Sequence, residues 1–275
     1  MPELPEVETV CRGLRRHLLG RTITEVVVRS EAVIHMPGVD GETFARALCG
    51  KNIQAVERRG KYTILVLDGC WLVCHLRMTG KLLVRGEMKE AGKHDHVLFY
   101  LDDGCILLYE DVRRFGGFVL SETSPYLSVP LSKLGPEPLT EAFEEEGFYQ
   151  SCRNRNRPIK SHLLDQGVVA GIGNIYADEI LFRAGVRPRK SAARITRAEA
   201  ATLVTATKVV LEEAVQAGGS TIRDYVDSDN RRGAFQLKHQ VYGRAGEPCR
   251  RCGSVLKSVT VGGRSSVYCP HCQKS

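Results

Sequence analysis

Four cysteines near the C-terminus, Cys249, Cys252, Cys269 and Cys272, constrain this chain more than any other feature. They form two C-x2-C pairs separated by sixteen residues. A C-x2-C pair sets two thiolates on one side of a tight turn. Four thiolates close a tetrahedral shell around zinc, at about 2.3 Å per Zn–S bond. The residues between the pairs fit that reading. Residues 255–261 form a strand-like run, Gly262-Gly263 a two-residue turn, and residues 264–268 a return strand. The pattern predicts a zinc-ribbon hairpin holding one structural Zn2+. Two disulfides would use the same four thiols. Against that, the other six cysteines (Cys11, Cys49, Cys70, Cys74, Cys105 and Cys152) stand singly, and no signal peptide precedes them. Those six lie mostly in apolar runs and are expected as buried reduced thiols.

The surroundings of the ribbon say what it touches. Residues 231–275 hold nine Lys or Arg and one acid, Glu247, a net +8. The whole chain carries +7, so residues 1–230 come to −1. A basic, metal-stapled tail on a near-neutral chain points to a polyanion, and nucleic acid is the first candidate. No apolar stretch approaches the length of a membrane span.

A length of 275 residues suits two domains or three modules. Val7, Val10, Leu14 and Leu18 recur at helical spacing, which predicts an opening helix over residues 5–19 stopped by Gly20. Strand-like runs follow at 22–28, 53–58, 62–67, 71–76, 81–84, 96–101, 105–109 and 117–120. Their spacing predicts an antiparallel β-sandwich or flattened barrel over residues 1–122. Residues 123–138 read as a linker, 139–235 as a helical domain and 236–275 as the zinc finger. Helices are expected at 140–153, 159–165, 174–184 and 196–217. Between the second and third, the glycines of Gln166-Gly-Val-Val-Ala-Gly-Ile-Gly173 break the chain, giving a helix–two-turn–helix. The helix opening at Asn174 aims free N–H groups outward, a natural phosphate site. The fold class is thus α+β and multidomain.

The chain begins Met1-Pro2-Glu3-Leu4-Pro5-Glu6-Val7-Glu8-Thr9. Met before a small residue is commonly removed, which would leave Pro2 as a secondary amine. An α-amino group has a reference pKa of about 7.7–8.0, so roughly a tenth or more is neutral at pH 7. Such an amine can attack C1′ of a sugar. The resulting iminium keeps its charge without losing a proton and serves as an electron sink. Glu3, beside it, can move protons. The plainer reading takes Pro2 as a helix-entry residue, though Pro5, Glu6 and Glu8 fit that role better.

The segments MPELPEVET, ERRGKY, HLRMTG, KHDHV, DVRRFGG, LGPEPL, LLDQGVVAGIGNIYADE and GGSTIRDYV, then the ribbon, follow one another in order. Together the chain resembles the bacterial formamidopyrimidine-DNA glycosylases over essentially residues 1–274. The resemblance implies DNA held between a β-sandwich and a helical domain with a zinc finger. It implies removal of oxidised purines such as 8-oxoguanine, then strand cleavage by β,δ-elimination at abasic sites. It makes Pro2 the Schiff-base nucleophile and Glu3 the general acid/base. Lys61 becomes the proton donor for β-elimination and a phosphate contact, although the residue alone reads as an exposed strand-start lysine. Arg264 takes a phosphate contact and the δ-elimination proton donor role. Further DNA contacts are implied at His94, Arg113, Asn174, His75, Lys160 and Tyr242. Asn156 stands at one such position, where lysine is frequent, and Arg155 and Arg157 offer replacement charge. Met78, Arg113 and Phe115 match the side chains that fill the gap left by an extruded nucleotide. Without the resemblance, Met78 and Phe115 read as core residues. The segment 218–235, with Ser220 and Thr221, resembles the loop that closes over the extruded purine. The expected partner is double-stranded DNA, bound by a monomer without a membrane, in the bacterial cytoplasm at the nucleoid. Three rivals differ in sequence signal. An endonuclease VIII-type enzyme prefers oxidised pyrimidines and is disfavoured by the long GGSTIRDYV loop. A non-catalytic zinc-ribbon DNA binder needs neither Pro2 nor Glu3. A redox or zinc-storage protein needs further C-x2-C pairs.

Overall fold

A computed structural model describes residues 1–86, 90–221 and 225–274. The chain forms two compact units, Met1–Ser132 with Ala217–Ala234, and Lys133–Gln216 with Phe235–Ser275.

The first unit opens with helix α1 (Leu4–Leu18), whose Val7, Val10, Cys11, Leu14 and Leu18 are all buried. Strand β1 (Ile23–Val28) follows, then α2 (Gly41–Leu48). The sequence reading missed α2, although its signals are present. The Asp40 side chain accepts from the Thr43 amide as an N-cap, and Phe44 and Leu48, one turn apart, are buried. Next come β2 (Ile53–Arg59), β3 (Tyr62–Leu67), β4 (Cys70–His75), β5 (Gly80–Arg85), β6 (Asp95–Leu101), β7 (Ile106–Asp111) and β8 (Gly117–Ser121). They build two four-stranded antiparallel sheets, ordered β1-β6-β7-β5 and β2-β3-β4-β8. The sandwich expectation therefore holds; Phe44, Phe99, Tyr109 and Phe118 join both sheets to α2, and the apolar stripe of α1 packs into the same core.

The second unit holds α3 (Glu145–Cys152), α4 (Ile159–Leu163), α5 (Asn174–Ala184), α6 (Arg197–Gln216) and the hairpin β9 (Lys257–Val261) and β10 (Arg264–Tyr268). Helix α3 starts five residues later than the sequence predicts, because Glu144 is its N-cap and accepts from the Gly147 amide. Gly262 and Gly263 both have positive φ, +55° and +74°, as a tight hairpin turn requires.

Sequence order assigns residues 217–234 to the helical domain, but they pack within the first unit. Asp229 bonds Arg16 at 2.7 Å and His17 at 2.8 Å, and the Val84 amide donates to the Ser228 carbonyl at 2.9 Å. Ser228 is wholly buried against α1 where Gly13 leaves space. A Cβ at Gly13 would lie 1.9 Å from Ser228 Oγ. Gly13→Ala is therefore expected to lower the thermal midpoint, and adding Ser228→Gly to restore most of the loss. A calorimetric scan of the three proteins checks the pair; no restoration would place the strain elsewhere.

Candidate active site and nucleic-acid contacts

The contacts of α1 fix which end of the first unit is chemically equipped. Arg15 Nε donates to the Val56 carbonyl at 2.7 Å, and Cys11 Sγ to Thr63 Oγ1 at 3.4 Å. One turn earlier, Glu8 pairs with Arg58 at 3.0 Å. These contacts step along the β2–β3 hairpin towards its Gly60-Lys61 turn, so the N-terminus of α1 arrives there. Burial raises the Glu8 pKa, but Arg58, Arg12 and Arg15 outweigh it and keep the carboxylate ionised.

Pro2, Glu3, Glu6 and Lys61 are all buried at this end. Glu3 and Glu6 form a reciprocal capping box, with the Glu3 amide donating to Glu6 Oε2 at 2.8 Å. Glu6 Oε1 accepts from the Ser220 amide at 2.7 Å, and the Glu6 carbonyl from Tyr225 Oη at 3.2 Å. The sequence marks Glu6 only as an acid favoured at the helix start, although a Glu three residues after a cap is also the capping-box signal. Thr221 Oγ1 accepts from the Gly233 amide at 2.8 Å, tying the two limbs of the loop. Residues 222–224 of the GGSTIRDYV segment lie outside the described residues. Lys61 is not the exposed strand-start lysine that its sequence context alone suggests.

Strand pairing gathers the remaining candidates. Tyr62 pairs with His75 and His75 with Gly117, while Gly80 pairs with Asp111 and Asp95 with Glu110. Lys61, His75, His94 and the β4–β5 and β7–β8 loops therefore share one end of the sandwich. His75 is held neutral, its pKa lowered to about 3 by burial, with Arg77 and Lys61 adding to the effect. Its Nδ1 accepts from the Arg77 amide at 2.9 Å, which leaves the proton on Nε2 as a neutral donor. Met78 and Phe115 are 47% and 52% exposed, so the core reading fails for both. Arg113 lies over the Phe115 ring at 4.4 Å and reaches Met78 Sδ at 3.1 Å. Arg77 and Arg114, one in each loop, adopt φ of +50° and +53°. Left-handed arginines are uncommon, and such backbone is tolerated where a site over-determines it.

In the second unit the four cysteine Sγ atoms lie within 4.8 Å of one another. Cys249–Cys272 and Cys252–Cys269 are 4.0 and 3.5 Å apart, far from a disulfide bond of about 2.05 Å. They bracket the roughly 3.8 Å edge of a tetrahedron with 2.3 Å bonds. The Arg251 and Cys272 amides point at Cys249 and Cys269 Sγ, 3.4 and 3.3 Å away, as thiolate ligands require. The residues fit one structural zinc. Of the other six cysteines, Cys11, Cys70, Cys74 and Cys152 are buried, but Cys49 is exposed and Cys105 half-buried.

Arg264 stands exposed at the hairpin tip. Asn174 opens α5, and its Nδ2 donates to the Ser265 carbonyl at 3.1 Å. Lys160 corrects the sequence reading. It is 0% exposed, paired with Asp178 at 2.7 Å and donating to the Ser265 carbonyl at 2.9 Å. A side chain so enclosed braces the hairpin and offers nothing to a phosphate. Asp178 also takes Ser266 Oγ at 2.6 Å and the Val267 amide at 3.0 Å. Glu179 accepts from the Gln240, Val241 and Tyr242 amides, which sets Tyr242 in place. Asn156 and Arg155 are exposed, whereas Arg157 is committed to His162 and Asp165, so only Arg155 offers replacement charge.

A sandwich whose first helix opens from a buried, capped Pro2-Glu3 segment, a helix–two-turn–helix and a four-cysteine hairpin define a zinc-stapled DNA-repair glycosylase. Residues 1–118 match the formamidopyrimidine-DNA glycosylase N-terminal domain, 134–226 its H2TH domain, and 246–274 the zinc finger found in FPG and IleRS. The formamidopyrimidine-DNA glycosylase of Desulfitobacterium hafniense is 45% identical over 275 residues, covering 99% of this chain and all of the relative. Two Lactococcus lactis Fpg structures superpose with a TM-score of 0.92. One is a point mutant in complex with Fapy-dG containing DNA, 38% identical and covering both chains fully. The other holds abasic-site DNA, 37% identical and covering 99% of this chain and 100% of the other. The chain belongs to the formamidopyrimidine-DNA glycosylase family.

Two measurements check the electrostatics. Lys160→Ala should cost about 3–5 kcal/mol in urea unfolding, because Asp178 is left buried without its cation; a loss under about 1 kcal/mol would contradict the brace. His75 has a folded pKa of about 3, below its ordinary 6.5, so protonation favours the unfolded chain. The stability tied to it is present above about pH 6.5 and is lost as pH falls towards 3. Its imidazole NMR signals should stay flat from about pH 8 to 5, and a midpoint above about 5 would refute the assignment.

Proposed function

We propose that this enzyme excises oxidised purines from duplex DNA and then cleaves the abasic strand, with the Pro2 amine as nucleophile. The observation that carries the reading is the Pro2-Glu3 segment, buried and held by the capping box at the end of the sandwich that bears Lys61, while Met1 is exposed. With Met1 in place the Pro2 nitrogen is an amide without a basic lone pair. Its removal leaves a secondary amine. That nitrogen attacks C1′, the base leaves as the C1′–N bond breaks, and ring opening gives an iminium. Loss of a C2′ proton breaks the C3′–O bond, and a second elimination breaks the C5′–O bond. Water then hydrolyses the iminium and frees the amine.

Glu3 is the neighbour suited to carry protons between these steps, and Lys61 to donate at the 3′ oxygen. His94, Arg113, Asn174, Tyr242 and the exposed Arg264 serve as DNA contacts, and neutral His75 as a hydrogen-bond donor. Arg264 is better suited to hold a phosphate than to give up a proton, since guanidinium barely deprotonates. Met78, Arg113 and Phe115 are exposed, with Arg113 over the Phe115 ring and against Met78 Sδ, ready to occupy the space a flipped nucleotide leaves. Ser220 and Thr221 lie in the loop assigned to the extruded base. No described helix is long and apolar enough to cross a membrane. We place the enzyme with DNA in the cytoplasm.

Borohydride should trap the enzyme on 8-oxoguanine duplex with the adduct on the N-terminal peptide. An adduct on a lysine would refute Pro2. Arg264→Ala should weaken binding with zinc content unchanged and reduce the salt dependence by about one phosphate contact. An unchanged slope would remove Arg264 from the phosphate path.

A further inference from the structure

Asp111 ends β7 and is 0% exposed, yet the chemistry above does not use it. Four donors converge on its carboxylate. Oδ1 accepts from Thr79 Oγ1 at 2.5 Å and the Arg113 amide at 3.1 Å. Oδ2 accepts from the Gly116 amide at 3.0 Å and Tyr109 Oη at 3.1 Å. The Arg113 amide also reaches Thr79 Oγ1 at 3.2 Å. Thr79 follows Met78 in the β4–β5 loop, while Arg113 and Gly116 bracket Phe115 in the β7–β8 loop. One carboxylate therefore ties both wedge loops together, and its own amide is fixed on the His94 carbonyl at 3.0 Å.

The packing leaves room for this knot and for little else. A Cβ at Gly116 would lie 2.4 Å from both the His75 carbonyl oxygen and Tyr109 Oη. One at Gly80 would lie 2.5 Å from the Leu76 carbonyl oxygen. Burial pushes the Asp111 pKa up, but the bonds from Thr79, Gly116, Arg113 and Tyr109 more than offset this and keep it ionised. A buried carboxylate satisfied by two loops holds them rigid, and rigid loops lose little entropy when DNA binds.

We propose that Asp111 is a positioning residue for nucleotide extrusion, fixing Met78, Arg113 and Phe115 relative to one another before DNA arrives. This rests on the wedge reading of those three side chains. Extrusion already costs unstacking energy, and a wedge that had to order itself at the same moment would add to that barrier.

Asp111→Asn keeps the volume, but whichever way its amide turns, an N–H group faces either the Arg113 or the Gly116 amide, so the β7–β8 loop loses one of its two backbone tethers. Single-turnover excision from 8-oxoguanine duplex is compared with cleavage of a preformed abasic duplex, alongside Met78→Ala, Phe115→Ala, Thr79→Ser and Thr79→Val. Asp111→Asn is expected to slow duplex excision by up to about 100-fold while abasic cleavage changes far less. It should also blunt discrimination among opposite bases. Thr79→Val should shift the ratio the same way, and Thr79→Ser should keep it. If Asp111→Asn lowers both activities by one factor, or leaves the ratio unchanged while Met78→Ala shifts it, Asp111 supports only the fold and the inference is wrong. If Met78→Ala and Phe115→Ala themselves lose both activities equally, the wedge reading falls and this inference falls with it.

Discussion

The carboxylate of Glu6 is the contact on which the chemical end of the first unit depends. One oxygen accepts from the Glu3 amide and the other from the Ser220 amide. An isolated buried carboxylate is costly, and two backbone donors are the kind of partner that makes it tolerable. The same bonds set the peptide preceding α1 and one limb of the 217–234 loop against each other. A nucleophile at a chain terminus would ordinarily fray. Here it is continuous with a capped helix whose apolar stripe is buried in the sandwich core.

Buried carboxylates recur as organisers in both units. Asp111 knots the β4–β5 and β7–β8 loops, Asp178 holds the edge of β10, and Glu179 gathers three successive amides before the ribbon. Each directs its charge at backbone donors, which positions main chain closely without large apolar contacts. A small zinc hairpin has little room for a core of its own, and here Leu256 and Val267 share one with Val241 and Phe182 of α5. Its stiffness comes from the four thiolates and from the Lys160–Asp178 pair beneath Ser265 and Ser266.

Much of this was legible in the sequence, for identifiable reasons. The ribbon was readable because metal spacing and a Gly-Gly turn are local signals, and α5 because Gly173 and Gly185 bracket it. Pairing order, which depends on contacts far apart in sequence, was not readable. Nor was the return of residues 217–234 to the first unit, which rests on Asp229, Ser228 and Gly13. Helix α2 was missed because eight residues with one cap give a weak period. The resemblance misled at Lys160, since a lysine beside a phosphate and one beneath a hairpin look alike in sequence. At Met78 and Phe115 apolar character alone argues for a core, and it was the resemblance that pointed to the exposed positions the structure gives them.

The proposed chemistry runs through a Pro2 amine made available by loss of Met1. The most direct measurement is intact mass of the purified protein, paired with active-site titration by borohydride trapping on abasic DNA. The fraction forming the covalent adduct is expected to equal the fraction lacking Met1, with the Met1-bearing species remaining unmodified in the same spectrum. Adduct on chains that retain Met1 would contradict the account.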